Sequence, residues 1–300
     1  MKTIIQSSSP RSLTTRAGRS AAVVSIGTSL LLLAGIRSAH AAETRIASPS
    51  AYRTREGSGC FCGDSTGPYR YQQVFPAADF AALGGKPHWI VAFGPRADQS
   101  VTGPHTAHLP DNYVRLSTTQ RGTGNQTPVF DANFGSDVVE FYSGPLTMVA
   151  EVAGPGAGPK GFYQADFAAG VTPFLYDPRK GNLLLDFIAR EGESPKVLAD
   201  QIPGMTVIAG EPLDISGNRG AAAIFQFTFV PMPELSNPHW SGGQFHFTLT
   251  GEVNMNYVIQ ASTDLQGWTP VATSSSPTAS RTITVNAPDS RTFYQAVVAP

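Results

Sequence analysis

The sequence predicts an all-β protein: a larger jelly-roll-like β-sandwich followed by a small Ig/fibronectin-like β-sandwich. Three observations lead there. The 300 residues include 30 Gly and 24 Pro, well above their average share. Charged residues make up only 14%. Short apolar or alternating runs rich in Phe, Tyr, Val and Thr recur between turn residues, and no long stretch carries a helical period, which is how a chain of many short strands reads.

Taken in order, the chain opens with Arg11, Arg16 and Arg19, an apolar run from Ala21 to Ile36, and Ala39-His40-Ala41. The run is interrupted by Gly27 and Gly35 and falls short of the ~20 residues a membrane span needs. With a basic lead-in and a small-x-small cleavage pattern, residues 1–41 read as a secretory signal peptide; the competing reading is an uncleaved anchor. The expectation is export, with cleavage near Ala41, a secreted or cell-surface location, and no integral membrane segment in the mature chain. The full chain carries 21 Lys+Arg and 22 Asp+Glu, but the leader holds Lys2, Arg11, Arg16, Arg19 and Arg37 and no acid. The mature chain would keep 16 basic residues against 22 acidic ones. Such a balance argues against nucleic acid as a partner, since phosphates demand a basic face.

Residues 42–67 read as a flexible linker with little to bury. Within it, Cys60 and Cys62 are the only cysteines, too few for a disulfide framework. A bridge inside C-x-C is geometrically strained. The pair reads as a tether, with redox activity or metal ligation as alternatives, although a zinc site usually takes four ligands.

Nine strand-like runs occupy residues 68–231: Tyr69–Phe75, His88–Phe93, Asn112–Ser117, Asp137–Tyr142, Leu146–Val152, Phe162–Phe167, Val171–Tyr176, Asn182–Ile188 and Ala222–Val230. They suit one two-sheet sandwich, with a single helical turn at Asp79–Leu83. The prolines at 231, 233 and 238 then break the chain. Residues 232–300 form a second strand series: Phe245–Thr250, alternating as F-x-F-x-L, then Asn256–Ser262, Thr269–Ser274, Arg281–Asn286 and Thr292–Val298. A module this small needs a dense aromatic core.

Several clusters could carry chemistry. Asp177-Pro178-Arg179-Lys180-Gly181 has turn chemistry throughout, which predicts a hairpin between Val171–Tyr176 and Asn182–Ile188. In that hairpin Asp186 would face Pro173, and Asp177 and Asp186 would stand roughly 13 Å apart at ~3.3 Å per residue, outside the range of a glycosidase carboxylate pair. His105 and His108 form H-x-x-H between Pro104 and Pro110. They lack the Glu of the helical zinc motif and read as a surface loop. Asp131, Asn133 and Asp137 resemble the start of a calcium loop, but the Gly is one position early and no Glu closes it. They are weak Ca²⁺ candidates against a plain turn. Trp268 is a possible glycan platform, or else core, and Trp89 and Trp240 pose the same choice. No nucleophile elbow, phosphate loop or other catalytic signature is present, so no catalytic or cofactor-binding residue is assigned.

Two stretches carry a resemblance. Ser117–Thr119 (S-T-T), Phe130–Asp137 (F-D-A-N-F-G-S-D) and above all Pro173–Asp186 (P-F-L-Y-D-P-R-K-G-N-L-L-L-D) resemble a β-sandwich domain of exported bacterial proteins of the PEP-CTERM type. Gly243–Gly251, Tyr257–Val271 and Phe293–Val297 resemble a small Ig/fibronectin-like module of secreted proteins. The resemblance implies an exported or surface location and carries over no catalytic residue. The sequence departs from the anchored pattern in ending Val297-Val298-Ala299-Pro300, without a sorting helix. The expectation is a secreted non-enzymatic surface, matrix or carbohydrate-interaction module, its partner an extracellular polysaccharide or cell-envelope component. The alternative is a polysaccharide-active hydrolase using Asp137, Glu140 and Asp166.

Overall fold

A computed structural model describes residues 5–7, 43–61, 67–151, 160–168, 170–191, 197–251, 255–275, 280–286 and 292–298. The run Ala21–Ile36 and the Ala39–Ala41 cleavage pattern lie outside them. No helix among the described residues is long and apolar enough to cross a membrane. The chain divides into two compact units, Ala42–Met232 and Pro233–Ala299, the latter joined by an N-terminal strand.

The first unit is a sandwich of two antiparallel sheets. The larger runs β12 (Asn218–Ala223), β11 (Ala199–Gly210), β4 (Tyr69–Phe75), β10 (Asn182–Ala189), β6 (His105–Thr119), β7 (Val139–Ala150), β8 (Gln164–Phe167), with β3 (Gly59–Phe61) also paired to β11. The smaller runs β2 (Thr44–Ser48), β13 (Phe225–Pro231), β5 (His88–Pro95), β9 (Phe174–Tyr176). Alternation along β13 sends Phe225, Phe227 and Phe229 to one side. There Phe227 meets Phe75 (4.8 Å between ring centroids), Phe80 (5.9 Å) and Phe93 (6.2 Å). Phe80 comes from the 3₁₀ segment Ala77–Leu83 and packs edge-on to Tyr176 at 5.3 Å. These aromatic rings fill the space between the sheets, where edge-to-face pairs add to the area they bury.

The second unit packs β14 (Glu234–Ser241), β15 (Gln244–Thr250) and β18 (Ser280–Asn286) in one sheet. Its other sheet runs β1 (Ile5–Ser7), β19 (Thr292–Val298), β16 (Asn256–Ser262), β17 (Thr269–Ser275). The F-x-F-x-L alternation buries Phe245, Phe247 and Leu249 against Leu235, Tyr257, Ile259, Ile283 and Tyr294. Stacked contact between Phe245 and Tyr294 at 5.5 Å supplies the aromatic density a small module needs.

Four local expectations are corrected. The Asp177–Gly181 turn forms, closed by the Lys180 amide on the Asp177 carbonyl at 2.9 Å. It is no hairpin, however: β9 belongs to the smaller sheet and β10 to the larger, so the turn arches from one sheet to the other. Asp186 faces Gln72 and Arg115 rather than Pro173. The reason is visible in β10 itself, where Leu183, Leu184 and Leu185 are all fully buried. A strand covered on both faces belongs at the centre of a sheet. Residues 42–67, expected to be a linker, supply β2 and β3 (Ile46 is buried in the main core), and Cys60 is disulfide-bonded. Cys62 lies outside the described residues. His105 and His108 sit on strand β6, not in a loop. Finally, β11 was not anticipated; it runs through Pro203 and Gly204 with a register shift between Ile202 and Thr206.

Two measurements check these points. Phe227→Ala should cost about 3–5 kcal/mol in urea unfolding, the usual cost of removing a buried aromatic ring. At the arch, the Arg179 guanidinium bonded to Asp177 at 2.8 and 2.7 Å holds that carboxyl below its ordinary range, helped by the Arg179 amide. A depressed carboxylate pKa stabilises the fold above the unfolded value and loses that contribution as pH falls through the folded one. Arg179→Ala should therefore lower the urea midpoint at about pH 7, and by progressively less as the pH falls through the depressed folded pKa of Asp177.

Candidate functional site

The polar centre of the first unit is built on the middle of the larger sheet. Because β10 lies between β4 and β6, Asp186 falls in register with Gln72 on one side and Arg115 on the other. Its carboxylate is fully buried and takes four donors. Oδ1 accepts from Arg70 Nε at 2.9 Å and Gln72 Nε2 at 3.0 Å, while Oδ2 accepts from Arg115 Nε at 2.9 Å and Nη2 at 2.7 Å. A buried carboxylate persists only when paired and hydrogen-bonded in this way.

The two arginines in turn organise what lies above them. The Arg70 guanidinium stands 4.1 Å over the Phe130 ring and reaches Asp131 at 3.2 Å and the Asp214 carbonyl at 3.3 Å. Arg115 stands 4.4 Å over Phe134. These cation–π contacts hold the segment between β6 and β7 on the sheet. That segment is locked further by Asn133, which donates to Gln72 Oε1 at 2.9 Å and the Thr127 carbonyl at 3.0 Å and accepts the Thr127 amide at 2.8 Å.

Beside this floor run two adjoining shallow cavities of about 430 and 360 Å³ that share Arg190, Pro212 and Leu213. Arg70, Tyr113, Arg115, Asp131 and Ile215 line the second. Leu213 is 95% exposed and Ile215 83% exposed, so the rim presents two aliphatic side chains to solvent next to a floor of fixed charge. The Tyr113 ring lies under both Arg115 (5.5 Å) and Arg190 (5.1 Å). Burial and the neighbouring Glu140 carboxylate raise its hydroxyl pKa.

The residues singled out from sequence are dispersed over the unit. Asp131, Asn133 and Asp137 lie on one segment but serve separate partners. Asp131 is exposed and faces Arg70 and Arg115, Asn133 is fully buried in the bonds above, and Asp137 accepts from the Thr118 amide at 2.8 Å and Ser117 Oγ at 3.2 Å. This is the plain-turn arrangement of capped backbone amides. Glu140 pairs in register with Arg115, and Asp166 with Thr147 seven residues further along β7. That places the two acids roughly 23 Å apart along the strand at ~3.3 Å per residue, beyond any glycosidase separation. His105 and His108, three apart on one strand, point to opposite faces; His105 Nδ1 meets the Tyr163 hydroxyl at 2.9 Å and burial lowers its pKa. In the second unit Trp240 packs on the core, while Trp89 pairs within β5 of the first. Trp268 is half-buried after the Ser262–Gly267 turn, where Asp264 Oδ1 accepts the Gln266 and Gly267 amides at 2.9 Å each.

Sequence reasoning missed a second polar centre, where Glu56, Asp98 and Asp200 bring carboxylate oxygens within 4.8 Å of one another. Burial, then Asp200 and Asp98, raise the Glu56 pKa. Burial raises that of Asp200 against the pull of the Gly57 amide and Arg96. The three come from distant segments and meet only in the folded structure. Comparison with protein-family models, curated proteins and solved structures gives no match for this chain.

Asp186→Asn should destabilise the first unit by about 3–5 kcal/mol in urea unfolding, because it removes the one buried counter-charge of Arg70 and Arg115 and leaves them only the exposed Asp131.

Proposed function

We propose that this is a secreted, non-enzymatic β-sandwich protein whose first unit binds an extracellular polysaccharide bearing anionic groups. The observation that carries the reading is the groove beside Asp186. Its floor arginines are held in fixed positions and its rim exposes Leu213 and Ile215 almost completely. Exposed aliphatic side chains gathered at a concave polar surface mark contact sites more often than chance leaves them. The more exposed guanidinium groups of the groove, Arg115 and Arg190, suit carboxylate or phosphate substituents on a polymer, and the aliphatic rim suits the C–H faces of its sugars. The leader pattern in residues 1–41 supports export, with cleavage near Ala41 taking the edge strand β1 off the second unit's sheet, and the resemblance of Pro173–Asp186 to exported bacterial sandwich domains supports an envelope or matrix setting. The carboxylates fit this role better than hydrolysis: Asp186 is saturated by four donors, and Glu140 and Asp166 stand too far apart to share a glycosidic bond.

The test is affinity electrophoresis through acidic and neutral polysaccharides. The wild-type protein should be retarded by an acidic polymer, less so as salt rises. Leu213→Ser with Ile215→Ser should weaken retention by about tenfold, while stability moves by no more than about 0.5 kcal/mol, as expected for exposed positions. Equal mobility of wild type and variant in every polymer would sink the reading.

A further inference from the structure

We propose that Glu56, Asp98 and Asp200 form a binding site for a divalent cation of the hard, oxygen-seeking class, with Ca²⁺ the ion it fits best. The site shares no residue with the groove and does not depend on the function assigned to it.

The backbone itself brings the three acids together. A bridge pairs Ala97 with Ala199, while the Asp98 amide donates to the Leu198 carbonyl at 2.9 Å and the Asp200 amide to the Arg96 carbonyl at 2.9 Å. Asp98 and Asp200 thereby project from the same face, diagonally across the bridge. Gly57 is pressed against β11 so closely that a Cβ would lie 2.0 Å from the Gln201 carbonyl oxygen and 2.1 Å from Asp200 Oδ1. Only glycine allows that approach, and it delivers the adjoining Glu56 carboxylate to the same point.

The charges there are not matched by protein partners. Asp200 is fully buried, yet its Oδ1 has no hydrogen-bond partner, and the buried Glu56 oxygens have no close one, only a weak approach of the Gln99 amide. Asp200 Oδ2 takes only the Gly57 amide at 3.0 Å, and Asp98 Oδ1 the Ser100 amide at 2.8 Å. The neighbouring cation, Arg96, is turned elsewhere: its terminal nitrogens donate to the carbonyls of Tyr52, Arg53 (2.9 Å) and Arg55 (2.8 Å). Arg96 approaches Asp200 only to 3.7 Å. Three carboxylates against one guanidinium leave two negative charges, which one divalent ion balances. Burying such oxygens unpaired is costly, and the raised pKa values of Glu56 and Asp200 register that cost.

The chemistry of the set selects the ion class. All ligands are carboxylate oxygens, with no imidazole or thiolate, which favours Ca²⁺, Mg²⁺ or Mn²⁺ over Zn²⁺ or Cu²⁺. Calcium binds oxygen at about 2.3–2.6 Å, so two ligand oxygens on one ion stand at most about 5 Å apart. The observed spread fits within that limit, and calcium's tolerance of irregular geometry suits ligands drawn from three segments.

The experiment uses the full chain, stripped with EDTA and exchanged into chelator-free buffer, with CaCl₂ as probe. Isothermal titration should show one site. At a hundredfold excess of Ca²⁺ over its Kd, the melting temperature should rise by about 5 °C or more relative to EDTA. Glu56→Gln and Asp98→Asn should each weaken Ca²⁺ binding by at least about tenfold. In EDTA, Glu56→Gln should melt no lower than wild type, since it removes a repelled charge, and Asp131→Asn should keep the full Ca²⁺ response. The proposal fails if Ca²⁺ leaves the wild-type melt unchanged, or if Glu56→Gln and Asp98→Asn respond like wild type. It fails equally if the response disappears in Asp131→Asn, which would move the ion to the Phe130–Asp137 segment. A Glu56→Gln protein that melts below wild type in EDTA would also overturn it, because Glu56 would then be satisfied by the protein alone.

Discussion

One buried carboxylate constrains most of the first unit. Asp186 sits at the centre of the larger sheet with no access to water, and a lone charge there would cost more than the domain's whole stability margin. The cost is offset only if Arg70, Gln72 and Arg115 all aim at it, which requires β4 and β6 to flank β10 in one register. The arginines then need cover of their own. Phe130 and Phe134 provide it, and they fix the segment that carries them. Strand order, register and the position of a long connection thus follow from a single acid placed in an apolar run.

The two polar centres of the unit are opposites in balance. Around Asp186, two guanidinium groups and an amide serve one carboxylate, and every oxygen is occupied. Around Asp200, three carboxylates meet donors that are mostly committed elsewhere. The first centre is complete as a protein structure and so acts as scaffold for the groove beside it. The second has oxygens left over, and an excess of buried acceptors is where a cation belongs.

Much of the architecture was legible because it rests on local pattern. The run Tyr69–Phe75 became β4 with those same bounds, and the F-x-F-x-L alternation of Phe245–Leu249 gave the inward face of β15. What was not legible depended on partners far along the chain. The turn residues of Asp177–Gly181 specify a reversal but not whether the next strand returns to the same sheet. The unbroken burial of Leu183, Leu184 and Leu185 decides that, and three adjacent leucines do state it to a reader who asks what covers both faces. Asp186 within that run was likewise a signal, since an acid in a doubly covered strand must bring its counter-charges with it. The Glu56, Asp98 and Asp200 group offered no such clue, because its geometry exists only once Arg96–Asp98 lies against Leu198–Asp200.

The pairing of β2 with β13 sets Ser48 against Phe225 and Thr44 against Phe229. The earliest strand of the first unit therefore waits for almost the last one to be made. Until residue 231 has emerged from the ribosome, β2 has no edge to join and the aromatic layer carried by β13 is missing. Closing so long a loop is slow, and no shorter piece of this unit can assemble its full core. The smaller sheet consequently closes only when almost the whole unit has been made.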